Sequence, residues 1–272
     1  MDFRILGPLD VAEGDARLDI PGGKERSLLA ILLLHANETV SRDRLIDDLW
    51  GGSPPTTAAK SIQVYISRLR RALGGNGVLV TRGQGYELCV GPGELDLERF
   101  EALSAEGARA LSEGAAAEAT GKLHEALALW RGPPLSDFAY ERFAQVEIAR
   151  LEEMRFTALE QRLAAEVELG RHVAAVPELE ALVAGHPLRE RLWEQLMLAL
   201  YRGGRRADAL DAYRRARAVF VEELGLEPGE GLRRLEQAIL AEGPALVATA
   251  DAGPPGEVLP VPVFRLAPAA TT

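Results

Sequence analysis

Four cations and no acid occupy the stretch from Thr57 to Leu73: Lys60, Arg68, Arg70 and Arg71. Placed on a helix at about 100° per residue, Ile62, Ile66, Leu69 and Leu73 gather on one side. Lys60, Val64, Ser67, Arg68 and Arg71 fall opposite, with Ser61, Tyr65 and Arg70 on the flanks. An exposed helix usually mixes charge signs for i,i+4 pairing. A helix that omits carboxylates suits a polyanion, because one Asp or Glu beside a phosphate would repel it; a solvated cationic face is the simpler alternative. The residues that follow favour the polyanion. Gly74, Gly75 and Gly77 stop the helix. Residues 78–81 read as a strand, Arg82-Gly83-Gln84-Gly85 as a turn, and residues 86–90 as the returning strand. Gly83 and Gly85 are expected to take positive φ at the tip and to let backbone approach a phosphate, with Arg82 as the anionic contact. A Gly-x-Gly also occurs in mononucleotide loops, but a phosphate loop should open a helix, and this one leads into a strand.

The upstream residues supply what must hold such a helix in place. Residues 3–9 (FRILGPL), then Val11, Leu18 and Ile20, read as short N-terminal strands. Residues 24–36 (KERSLLAILLLHA) form an apolar helix. Ser41 is the expected N-cap of a second helix running to Trp50. Gly51-Gly52-Ser53-Pro54-Pro55 breaks the chain before the cationic helix. From about residue 93 the pattern is helical: a start at Leu95-Asp96, a helix over 115–130, a sharp break at Arg131-Gly132-Pro133-Pro134-Leu135, and a long helix over about 143–169. Trp193, Leu196, Ala209, Tyr213 and Ala216 fit the large and small positions of a tetratricopeptide unit. Trp193 lies 34 residues after Leu159, which puts Leu159, Arg162, Ala175, Leu179 and Pro187 in the preceding unit, with Arg162 and Leu179 the looser matches. An ordinary helical bundle would use the same core residues; the helix lengths and breaks favour the repeat.

Composition narrows the classes. At 272 residues the chain allows about two domains. No apolar run approaches the roughly 20 residues of a membrane span, and Asp2 and Arg4 interrupt any signal-peptide pattern. The single cysteine, Cys89, excludes an internal disulfide and suits a reducing cytosol; it reads as a small apolar strand residue, with a redox role as the lesser alternative. His35, His124, His172 and His186 are scattered without metal-ligand spacing, and nothing pairs a nucleophile with a base, so neither a metal, a cofactor nor an enzymatic site is expected. The net charge of −10 is unevenly divided. Residues 1–92 hold eleven Lys/Arg and eleven Asp/Glu, so all of the excess acidity lies beyond them. That half should repel DNA and leave the cationic helix and hairpin as the attractive patch.

RxLRRAL followed by VxTxRGxGYxL resembles the winged helix-turn-helix of the OmpR-type regulators. LWRGPPLSDF (129–138), residues 178–217 and EELGLEPGEGLRRLEQAIL (222–240) resemble the bacterial transcriptional activation domain. Their direct union is similar to the Streptomyces antibiotic regulatory proteins and AfsR-like transcriptional regulators, over roughly residues 1–243. The expected fold is mainly α with a small α+β part: a winged helix-turn-helix over 1–92, an all-α tetratricopeptide-like domain over 93–243, and a Pro/Ala-rich flexible tail over 244–272. The resemblance implies a transcription activator that binds direct repeats of promoter DNA, self-associates there, and holds RNA polymerase through its sigma factor at secondary-metabolite genes, in the cytoplasm at the nucleoid. Matched by motif, Lys60, Tyr65, Arg68, Arg70, Thr81 and Arg82 carry over as DNA contacts, and Trp50 as a backbone-contacting tryptophan that fits a core position equally well. The helical angles put Arg70 toward phosphate rather than a base, and Val64 and Tyr65 toward apolar or stacking contact such as thymine methyl. No ATPase segment or Walker loop follows, so the expectation is either a small stand-alone regulator or the front of a longer one. The competing readings are a helical interaction scaffold without DNA, a repressor that occludes promoters, and an enzyme with an unrecognised site.

Overall fold

The structure is a computed structural model and describes residues 1–75 and 77–241. The tail expected over 244–272 lies outside the described residues. By packing, the described residues divide into two compact units: residues 1–105 with 124–158, and residues 106–123 with 159–241.

In the first unit, β1 (Asp2–Arg4), β2 (Asp10–Glu13) and β3 (Ala16–Arg17) form an antiparallel sheet in chain order. β4 (Val40–Ser41), β6 (Gly85–Leu88) and β5 (Leu79–Arg82) form a second, with β6 in the middle. α1 (Gly23–Leu34), α2 (Arg42–Trp50) and α3 (Ala58–Ala72) pack on one another. α1 is the central helix: Leu28, Leu29, Ala30, Ile31, Leu32 and Leu33 are all buried, which explains a run apolar on every side instead of a stripe. Ser41 caps α2 as expected, its hydroxyl accepting from the Arg44 N–H at 3.2 Å.

The strand expected over residues 3–9 is cut short at Arg4. The next two backbone N–H groups turn away from the sheet and donate to one carboxylate, Asp96 Oδ1 from Ile5 (2.8 Å) and Oδ2 from Leu6 (3.0 Å). The carbonyls of Leu6 and Ile5 accept from the N–H groups of Arg131 (2.8 Å) and Leu135 (3.0 Å). The broken loop 131–135 thus completes the backbone pairing of residues 5 and 6. Asp96 opens α4 (Asp96–Ser112) and is 1% exposed. Burial pushes its carboxyl above the ordinary aspartate range, against the pull of the two N–H groups and Arg131. Trp130 is buried behind this loop, edge-on to Phe100 at 5.2 Å, with the Arg155 guanidinium 5.1 Å from its ring centre.

The second unit is helical. It takes in parts of α4, α5 (Ala116–Ala128) and α6 (Arg142–Glu168), then α7 (His172–Gly185), α8 (Glu190–Arg202), α9 (Arg206–Leu224) and α10 (Glu230–Leu240). α8 packs against α7, α9 and α10. The tetratricopeptide-type positions Leu196, Ala209 and Ala216 are fully buried, and Trp193 and Tyr213 nearly so. Ala175 and Leu179 of the preceding helical repeat are buried too, and Pro187 links that repeat to the next by accepting the Trp193 indole N–H at 2.8 Å. The looser match, Arg162, has its own reason. It is 4% exposed and its guanidinium bonds Glu166 and Glu178, each at 2.6 Å, joining α6 to α7. Gly229, just before α10, donates its N–H to Glu190 Oε1 at 2.8 Å and so ties the start of that helix to α8. Among the described residues no helix is long and apolar enough to cross a membrane.

Candidate nucleic-acid interface

α3 carries the arrangement its sequence implies. Ala58, Ile62, Ile66 and Leu69 are buried against the unit, as is Leu73 just beyond the helix end. Lys60, Val64, Ser67, Arg68 and Arg71 are exposed, and Ser61, Tyr65 and Arg70 are half-buried along the flanks. A shallow depression of about 380 Å³ runs along the outer face, lined by Thr57, Lys60, Ser61, Val64, Tyr65 and Arg68. Val64 is the exposed apolar group in it, suited to a methyl contact. Trp50, half-buried at the end of α2, stacks on Tyr65 with ring centres 6.3 Å apart and planes 26° off parallel. The contact fixes Tyr65 at the rim of the depression and leaves Trp50 between core and surface.

The cations differ in how they are held. Among the described residues, Lys60 and Arg71 have no ion-pair partner. Arg70 does not stand free: its Nε donates to the Leu79 carbonyl at 2.7 Å and a terminal nitrogen to Thr81 Oγ1 at 2.8 Å. It braces the hairpin against the helix, and this strut consumes part of the fork that sequence reading assigned to phosphate. Arg82, exposed at the tip, has Glu87 Oε2 at 3.5 Å from its Nε. Arg68 donates to Glu25 Oε1 of α1 at 2.6 Å. Glu25 and the struts of Arg70 were not anticipated. Both join residues of different elements, 43 positions apart for Arg68 and Glu25 and 9 or 11 for Arg70, which no helical spacing pairs.

The hairpin has a two-residue turn, Gly83-Gln84, with Arg82 opposite Gly85 and Thr81 opposite Tyr86. Gly83 takes positive φ (52°), as expected. Gly85 does not, and it faces inward: β4 lies across it, and a Cβ would collide with the Val40 carbonyl oxygen. It is a glycine because of close strand approach within the protein, not to admit a phosphate. Arg42, at the start of α2, donates its backbone N–H and a guanidinium N–H to Gln84, both at 3.1 Å, and so anchors the tip. Cys89 follows β6, and its N–H donates to the Val78 carbonyl at 2.7 Å. Burial and the neighbouring Glu87 carboxylate push its thiol up. A thiol reagent at neutral pH should modify it more slowly than a free model thiol; alkylation at the model rate would contradict this environment.

A helix with a cationic, carboxylate-free outer face, seated on two helices and followed by a braced hairpin, defines a winged-helix DNA-binding regulator. Residues 21–88 match the family model described as "Transcriptional regulatory protein, C terminal", and residues 95–240 match "Bacterial transcriptional activator domain". The regulatory protein DnrI of Streptomyces peucetius is 40% identical over 256 residues, covering 90% of this chain and 94% of DnrI. AfsR of Streptomyces coelicolor is 43% identical over 245 residues, 90% of this chain but 24% of AfsR. The solved structure of Mycobacterium tuberculosis EmbR in complex with a low affinity phosphopeptide matches with a TM-score of 0.85 at 39% identity, over 89% of this chain and 65% of that one. The chain belongs to the Streptomyces antibiotic regulatory protein family of AfsR-like transcriptional regulators, and these relatives are regulators rather than enzymes.

Proposed function

We propose that α3 enters the major groove of promoter DNA and that the β5–β6 hairpin rests on the adjoining backbone. The supporting observation is the division of α3 itself: the apolar side is buried in the protein, and the side bearing Lys60, Val64, Ser67, Arg68 and Arg71 is open. A helix fits the major groove, where base edges carry a full donor and acceptor code. Lys60 and Arg71 hold phosphates; Arg68, Val64, Tyr65, Ser61 and Ser67 face bases and sugars. Arg70 and Thr81 act as a unit that holds the wing, with Arg82 at its tip against phosphate and Trp50 supporting Tyr65.

Residues 1–92 in this reading supply recognition, and residues 93–243 supply contact with the transcription machinery. The excess negative charge of the latter keeps it off the duplex and available to RNA polymerase and its sigma factor. With eleven cations balanced by eleven acids in the reading segment, a single copy should bind modestly. Copies side by side on direct repeats would supply the rest. Activation of secondary-metabolite (antibiotic) genes, in the cytoplasm at the nucleoid, is the role that fits the family. Binding to duplex DNA must weaken as salt rises, and Lys60→Ala or Arg71→Ala should each flatten the log–log salt slope by about 1. A slope unchanged in both variants would remove α3 from the interface.

A further inference from the structure

Glu25 is 4% exposed, and its carboxylate meets the Arg68 guanidinium at 2.6 Å, while more than half of the Arg68 side chain remains open. The acid is 43 residues away on α1, so the carboxylate absent from α3 is supplied from beneath it. One terminal nitrogen of Arg68 is thereby fixed. The guanidinium keeps its other N–H donors, on a side chain that lines the depression with Lys60, Val64 and Tyr65.

We infer that Glu25 is a positioning residue that makes Arg68 a base reader instead of a phosphate clamp. This rests on the reading that α3 enters DNA. Two physical effects act together. A buried carboxylate cancels most of the attraction that Arg68 would exert on phosphates at any sequence. The same bond restricts the rotamers of a long side chain before DNA arrives, so less freedom is lost when its remaining donors meet a base edge. Lys60 and Arg71 lack such a partner among the described residues. The recognition face therefore separates into free cations that give affinity and one tethered cation that gives sequence preference.

The test uses the full chain and a 30-base-pair duplex enriched by it from a random pool, with a scrambled duplex of equal composition as reference. Arg68→Ala should lower the ratio of the two affinities about tenfold, with the salt slope on scrambled duplex nearly unchanged. Glu25→Gln should lower the same ratio at the same base position, yet steepen the scrambled-duplex slope by about 1, because a freed Arg68 finds phosphate. In the double variant the Glu25 effect on both readouts should vanish. Glu25→Asp, which keeps the charge but withdraws it by one methylene, should also erode the preference and serves if Glu25→Gln does not fold. Sequence preference and slope unchanged in folded Glu25 variants, with only thermal stability altered, would overturn the assignment and leave DNA binding intact. Wild type that ignores both duplexes at low salt would sink the DNA reading, and this inference with it.

Discussion

Arg162→Ala should cost the helical unit about 3 kcal/mol, enough to lower its melting temperature by several degrees. The guanidinium is buried between α6 and α7 and holds two glutamates, Glu166 and Glu178. Their charges raise its pKa further, although burial opposes this. Truncation leaves a cavity and two carboxylates facing each other without a cation. Those carboxylates are partly exposed and can be rehydrated, which keeps the loss at the lower end of the range for a broken buried pair. Arg162→Met fills the space but not the charge, so it should lose less if Glu178 is changed to Gln at the same time. Thermal unfolding followed by circular dichroism measures both. An Arg162→Ala chain as stable as wild type would show that the triad contributes nothing.

Asp96→Ala should destabilise the first unit by about 3 kcal/mol, since it strips the acceptor from two buried N–H groups, those of Ile5 and Leu6. Denaturant unfolding is the measurement, and a loss below about 0.5 kcal/mol would count against the role. The pH dependence has a definite sign. The folded carboxyl titrates above its unfolded value, so the folded state binds the proton more tightly. The contribution from this linkage is fully present below the unfolded pKa and is lost as pH rises through the folded one. Relative to the non-titrating Asp96→Asn, wild type should therefore lose stability as pH climbs above the ordinary aspartate range. A difference that grows with pH would reverse the assignment.

Asp96 also shows where sequence reading stops. Periodicity located α1, α2, α3 and the long α6 to within a residue or two, because each buries an apolar side or run that the pattern records directly. The cationic face of α3 was legible for the same reason: what is not apolar at helical spacing faces out. The long-range closure of the first residues was not legible. Asp96, Arg131 and Leu135 close the backbone of residues 5 and 6 from about 90 to 130 positions away, and no local pattern announces that. A cut after residue 92 would remove these partners, so point variants separate reading from activation better than truncation does. Gly85 misled because turn chemistry and close strand approach select the same residue. The helical angles set Arg70 on the flank and Arg68 on the outer face, but only the fold reveals that one braces the wing and the other leans on Glu25.

Methylation interference on the enriched duplex addresses the major-groove placement of α3 most directly. Methyl groups on guanine N7 project into the major groove, and those on adenine N3 into the minor groove. If the Lys60–Arg71 face of α3 occupies the major groove, guanine N7 methylation within the bound repeats should block binding, and at least one such position should become indifferent in Arg68→Ala. Interference confined to adenine N3, with guanine N7 methylation tolerated throughout, would contradict the account.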